Sequence, residues 1–191
     1  MKVGFFGGSF DPPHLGHKKL VDHCIKIFDK LLIIPNRDSV DKHKKNIATI
    51  NQRFEMLNLM FKNKSVEISD FEIKSNKPNY TYNSIKFLED LYKGDDLFMI
   101  IGKDQLENLY NWHQYEYIIK NINIICFNRN DIIERKAKEI YTIKSIKYLK
   151  LNCNYSSTKI REMLKNNIQF DVCPLDEQVL EYIIKNNIYI S

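Results

Sequence analysis

No stretch of this 191-residue chain approaches the ~18 consecutive apolar residues of a membrane span, which excludes an integral helical membrane protein. Cysteine is scarce. Cys24, Cys126, Cys153 and Cys173 are too scattered for a metal knuckle or a disulfide framework, and three lie in apolar or periodic segments, so buried thiols are expected. There is no internal repeat and no low-complexity linker. The opening residues Met1 to Phe6 turn at once into glycines, without the long apolar segment and small-residue cleavage site of a signal peptide, so a cytoplasmic location is expected. Strong charge of one sign is also lacking: 29 basic against 24 acidic residues leave +5. Such a surplus suits a small anionic ligand as well as a polynucleotide. RNA binding would interleave aromatic residues with a basic stripe, and the basic run Lys42 to Lys45 contains none, so no nucleic-acid partner is expected.

What is present is globular: 43% hydrophobic and 28% charged residues, in a length suited to a single domain over 1–191. Lys2 to Phe6 reads as a buried strand stopped by Gly7-Gly8, and Leu20, Val21, Cys24, Ile25 and Phe28 recur at helical spacing after it. Leu31 to Ile34, Val66 to Ile68, Leu97 to Ile101, Ile122 to Phe127 and Ile146 to Leu151 read as further strands. Thr49 with Gln52 has the form of a capping box before a helix striped by Phe54, Leu57, Met60 and Phe61. Thr81 is placed to cap a helix with inner face Ile85, Leu88, Leu91 and Tyr92. Helical pieces surround Trp112, and a last helix carries Val179, Leu180, Ile183 and Ile184. Strands alternating with helices of about ten residues predict an α/β fold: a Rossmann-like, doubly wound parallel sheet with helices on both faces.

In such a sheet ligands bind beyond the carboxyl ends of the strands, where Gly7-Gly8-Ser9-Phe10-Asp11-Pro12-Pro13-His14-Leu15-Gly16-His17 lies. Gly7 and Gly8 let the backbone pass close to a phosphate and tolerate positive φ. A helix starting near Pro13 offers unpaired N–H donors to an anion, and His14 and His17, three apart, project from one side of its first turn. Two glycines alone are more often a plain turn. A His-x-x-His pair can be half a zinc site, but no third ligand stands nearby, and the absence of Gly-Lys-Ser/Thr excludes a Walker A loop. The joint pattern reads as a phosphate site with two imidazoles.

Gly7 to His17 resembles the Gly-Gly-Ser/Thr-Phe-Asp-Pro-x-His-x-x-His signature of the Rossmann-like nucleotidyltransferases, and Ser156-Ser157-Thr158-Lys159-Ile160-Arg161 resembles their second signature, Ser-Ser-Thr-x-Ile-Arg. Within that superfamily the chain is most similar to the bacterial nicotinate-nucleotide adenylyltransferases. The likeness also takes in His43-Lys44, Arg53 and Met56, Tyr80-Thr81, Gly102 to Asp104, Trp112, and Val179 to Tyr189. Asn83, Ser84, His113 and Asn130-Asp131 depart from the family pattern, on the pyridine-nucleotide side.

The resemblance implies attack on the α-phosphorus of ATP by the 5′-phosphate of nicotinate mononucleotide, giving deamido-NAD and pyrophosphate, with Mg²⁺ carried by ATP and no metal held by protein alone. His14, His17, Arg161 and Lys44 are implied as the catalytic set. Gly7, Gly8, Ser9, Phe10, Asp104, Ser157 and Thr158 are implied as ATP contacts. Thr81, Tyr82, Trp112 and His113 are implied on the mononucleotide side. Ser157 and Thr158 also suit helix caps, and Asp104 an N-cap. The other activities open to this pattern are transfer to nicotinamide mononucleotide or phosphopantetheine, or nucleotide binding without turnover. Oligomeric state is left open, and a homo-oligomer is compatible with the sequence.

Overall fold

The computed structural model describes residues 1–37, 47–62, 65–75, 79–128, 143–151, 153, 155–166 and 172–190. Lys44 and the Asn130-Asp131 departure lie outside them. Six strands, β1 (Lys2–Gly8), β2 (Lys30–Pro35), β3 (Glu67–Ile68), β4 (Asp96–Gly102), β5 (Asn123–Asn128) and β6 (Ser145–Lys150), form one sheet in the order β3-β2-β1-β4-β5-β6, with every pairing parallel. The chain moves outward from β1 to β3, then returns to β4 on the other side of β1. The order therefore reverses between β1 and β4, and a crevice opens at their carboxyl ends.

Period-two alternation within the strands sends side chains to two separate cores. Phe6, Leu31, Ile33, Ile100, Ile125 and Phe127 pack under α1 (Leu15–Cys24), α2 (Ile50–Phe61), α7 (Ser157–Lys165) and α8 (Glu177–Lys185). Val3, Phe5, Leu32, Ile34, Met99, Ile101, Ile124 and Cys126 pack under α4 (Thr81–Leu91), α5 (Lys103–Glu107) and α6 (Tyr115–Asn121) on the opposite face. Each such side chain, fully buried, contributes ~1.5–3 kcal/mol relative to exposure. Both faces are therefore covered, as the sequence predicted. All four cysteines are buried and unpaired, and burial pushes the Cys24 and Cys126 thiols up to about 12.

Several local expectations need correction. The Val66 to Ile68 strand shrinks to Glu67–Ile68, and a short helix α3 (Phe71–Lys74) follows it unforeseen. Thr81 is the first residue of α4 and not its cap. Tyr80 takes the extended capping place, its ring packed 4.6 Å from that of His113, and no side chain caps the helix. On α2 the Thr49–Gln52 capping box forms as read, but half-buried Phe54 yields the inner stripe to Arg53, which is 1% exposed. Asp104 stands in the first turn of α5 because Gly102 takes the cap, its N–H donating to Gln105 Oε1 at 3.2 Å.

Candidate active site

The site begins where β1 runs out. Gly7 and Gly8, although able to tolerate positive φ, do not take it; Phe10 adopts the left-handed conformation, at φ 50°. The room at Gly8 is still used, since a Cβ there would lie 3.2 Å from the Phe10 ring. Phe10 is 2% exposed and packs edge-on to Phe6 at 5.3 Å and to His17 at 5.0 Å, and this apolar anchorage holds the strained residue in place. The Asp11-Pro12 peptide that follows is cis.

His14 is the N-cap of α1, in extended conformation, and the helix proper starts at Leu15, two residues after Pro13. Its Nδ1 accepts the Gly16 N–H at 3.1 Å, while its own backbone N–H donates to His17 Nδ1 at 3.1 Å. This is a capping box built from two histidines, in the places where Ser/Thr and Glu/Gln are usual. The two rings stack with centroids 3.7 Å apart, tilted by 24°. Because both Nδ1 atoms accept, the ring proton of each neutral imidazole sits on Nε2. The cap thus fixes two side-by-side Nε2–H donors at the positive end of a helix, an arrangement suited to a phosphate.

Gly16 is required by space. A Cβ there would lie 2.6 Å from Cys153 Sγ, 2.8 Å from His14 Cε1 and 2.9 Å from His14 Nδ1. Gly16→Ala should therefore swing the His14 ring off its stack and lower kcat about tenfold, in proportion to a misplaced rather than deleted group. Steady-state kinetics on a folded variant check this, and an unchanged kcat would show that the ring tolerates the displacement.

The second signature meets the first through hydrogen bonds. Ser156, not Ser157 or Thr158, caps α7, accepting the Lys159 N–H at 3.3 Å. Ser157 is instead the first helical residue, and its hydroxyl donates to the Pro12 carbonyl at 2.9 Å. Arg161, midway along the same amphipathic helix, donates from Nη1 to the Asp11 carbonyl at 2.6 Å and from Nη2 to Thr158 Oγ1 at 3.4 Å. Two implied residues of α7, Ser157 and Arg161, thereby reach the loop that leads into His14, and Thr158 braces Arg161.

Two buried groups that the sequence reading did not place hold this loop. Asp11, 3% exposed, accepts the Ile47 and Ala48 N–H groups at 2.9 and 3.0 Å and the Tyr189 hydroxyl at 2.6 Å. Arg53 donates to the carbonyls of Ser9 at 2.6 Å, Arg37 at 2.9 Å and Ala48 at 3.3 Å. A charged residue in register with Met56, Leu57 and Met60, at i, i+3, i+4 and i+7, was the available signal for Arg53. Asp11 and Tyr189 left no such trace.

A second cluster lies with the helices of the other face. Tyr82, one residue into α4 after Thr81, packs edge-on to His113 at 5.9 Å and to Tyr117 at 5.3 Å, and Trp112 is half-buried against that core. Ser84 is buried and donates to Glu72 Oε1 at 3.0 Å, so this departure from the family pattern is absorbed within the fold. Asp104 is exposed at the carboxyl end of β4, on the rim shared with Gly8. Lys44 lies outside the described residues. Among those residues no three His, Cys, Asp or Glu side chains gather as a metal site, and no helix is long and apolar enough to cross a membrane.

A cytidylyltransferase-like family model matches residues 5–163. The chain is 38% identical over 173 residues to a probable nicotinate-nucleotide adenylyltransferase of Fusobacterium nucleatum, covering 87% of this chain and 89% of that protein. It is 34% identical over 185 residues to one of Aliarcobacter butzleri, covering 93% and 98%. Among solved structures, Plasmodium falciparum nicotinic acid mononucleotide adenylyltransferase complexed with NaAD superposes with a TM-score of 0.84 at 18% identity, over 98% of this chain and 97% of that one. That last likeness concerns the fold.

Proposed function

We infer the chemistry from one premise: the chain belongs to the cytidylyltransferase-like family, and within it to the nicotinate-nucleotide adenylyltransferases. It transfers the adenylyl group of ATP to nicotinate mononucleotide, in NAD biosynthesis, as one nucleotidyltransferase domain over residues 1–191. A 5′-phosphate oxygen of the mononucleotide bonds to the α-phosphorus, the bond from that phosphorus to the bridging oxygen breaks, and pyrophosphate leaves with the electron pair. Enzymes of this kind use ATP with a divalent metal; here we take Mg²⁺ to arrive on the ATP phosphates, and both substrates to be met in the cytoplasm.

The observation that carries this reading is the histidine capping box, whose Nδ1 atoms both accept backbone N–H groups, which puts the ring proton of each neutral imidazole on Nε2. Charge grows on phosphate oxygens in the transition state, so donors fixed beforehand lower the barrier without reorganising. His14 and His17 bind the α- and β-phosphates. Arg161 grips the β- or γ-phosphate by its fork, Lys44 reaches the triphosphate, and the backbone of Gly7 to Phe10 passes close by. Ser157 and Thr158 add nucleotide contacts, and Asp104 accepts ribose hydroxyls or helps place the metal. Thr81, Tyr82, Trp112 and His113 receive the pyridine half.

The test is product analysis. ATP with nicotinate mononucleotide should yield deamido-NAD and pyrophosphate, with kcat/KM on the order of 10²-fold above that for nicotinamide mononucleotide, whose neutral amide cannot replace a recognised carboxylate. A preference for the amide overturns the substrate assignment. No pyrophosphate from either mononucleotide overturns the enzyme reading and leaves nucleotide binding without turnover.

A further inference from the structure

We infer that Tyr189 is a positioning residue: by occupying the Asp11 carboxylate, it keeps the long Asp11–Arg161 ion pair from tightening into a direct hydrogen-bonded fork and so leaves the guanidinium available to nucleotide phosphate. The inference rests on the adenylyl-transfer reading for the role of Arg161. Its structural basis starts at the end of α8, where Asn187 takes the left-handed conformation at φ 50°. The Asn187 N–H donates to the Ile184 carbonyl at 3.1 Å and the Ile188 N–H to the Ile183 carbonyl at 3.0 Å, the two bonds of a Schellman motif. That turn sends Ile188 and Tyr189 into the core, where Tyr189 is 6% exposed and itself held at φ 66°.

The hydroxyl arrives at Asp11 Oδ1, 2.6 Å away, across a separation of 178 residues. Burial, and then the Asp11 charge, push the Tyr189 hydroxyl well above its ordinary value, so it stays a donor. Oδ1 then holds Tyr189 and Ala48, and Oδ2 holds Ile47. Arg161 Nη1 stands 3.8 Å from Oδ2, beyond hydrogen-bond distance, and gives its hydrogen bond to the Asp11 backbone carbonyl instead. The guanidinium is therefore held by Asp11 as a long ion pair, without a direct hydrogen bond to the carboxylate.

Without the hydroxyl, a buried carboxylate loses a donor, and Arg161 is already within ion-pair distance of its Oδ2. A buried, underbonded anion draws in an adjacent cation, and the planar fork fits a carboxylate as well as it fits a phosphate. Arg161 turned inward is lost to ATP.

A double-mutant cycle of Tyr189→Phe and Arg161→Ala tests this by pyrophosphate release and by melting temperature. Tyr189→Phe should lower kcat/KM for ATP about tenfold while the KM for nicotinate mononucleotide stays within about twofold, and in the Arg161→Ala background its further effect should shrink to below about twofold. Losses that multiply across the two backgrounds, an unchanged kcat/KM for ATP, or a Tyr189→Phe chain that does not fold would each overturn the inference. Should the unaltered protein release no pyrophosphate, only the adenylyl-transfer reading fails; the same cycle is then read on the Kd for ATP, with the same outcomes for and against.

Discussion

Replacing His17 with alanine should lower kcat by about 10²–10³-fold while changing the Kd for ATP by less than about tenfold, the pattern for a fixed donor that acts mainly in the transition state. Two attachments tie the ring to His14, since its Nδ1 accepts the His14 N–H and its face stacks on the His14 ring, while Phe10 packs against it edge-on. Alanine removes both, so His14 loses its alignment along with its neighbour, and the loss in kcat includes both donors. His17→Gln separates the parts. Glutamine is a natural occupant of this helical position and can restore the acceptor for the N-cap N–H. The glutamine variant should melt near the unaltered protein yet stay at least about 10²-fold slower in kcat. Stopped-flow or steady-state rates with parallel ATP titrations measure the two quantities. Near-normal kcat in His17→Gln would show that capping, not phosphate contact, is the residue's role.

Arg53→Met should cost about 3–5 kcal/mol of stability, the largest loss expected from any single substitution proposed for this chain. The methionine fits the apolar stripe of α2 and replaces much of the volume, so a cavity is not the main effect. What is lost is a fork that satisfies the carbonyls of Ser9, Arg37 and Ala48 at once. Those three belong to separate segments: the loop after β1, the end of the chain leaving β2, and the approach to α2. Left without donors, the buried carbonyl of Ala48 and the part-buried carbonyls of Ser9 and Arg37 each carry a desolvation cost, and the segments separate. For a chain of this length the loss corresponds to a fall in melting temperature of roughly 10 °C. Lysine, with donors on one point rather than a planar fork, should recover only part of it. A melting temperature for Arg53→Met equal to that of the unaltered protein would sink the idea of a clamp.

The fold was legible because its signals are local. A strand ended by Gly7-Gly8, apolar runs such as Leu31 to Ile34 and Leu97 to Ile101, and helical stripes such as Ile85 with Leu88 each state their own element within about ten residues. The two signatures were legible for the same reason, being contiguous. Errors clustered at element ends, where adjacent hydroxyls compete. Ser156, Ser157 and Thr158 can each cap a helix, and the choice of Ser156 leaves the Ser157 hydroxyl for the Pro12 carbonyl, 145 residues away in sequence.

From the sequence alone came the α/β class and the histidine pair, expressed through periodicity and spacing along the chain, and the two signatures, through their resemblance to the nucleotidyltransferases. Only the tertiary structure decided that Phe10 rather than a glycine takes the left-handed turn, that Arg53 clamps three carbonyls, and that Asp11 gathers Tyr189 and Arg161. Those facts depend on the β3-β2-β1-β4-β5-β6 order, which brings the ends of α7 and α8 back over the loop leaving β1. A buried polar group takes whichever partner the assembled layers present to it, and partners 150 to 178 residues away leave no periodic trace beside it.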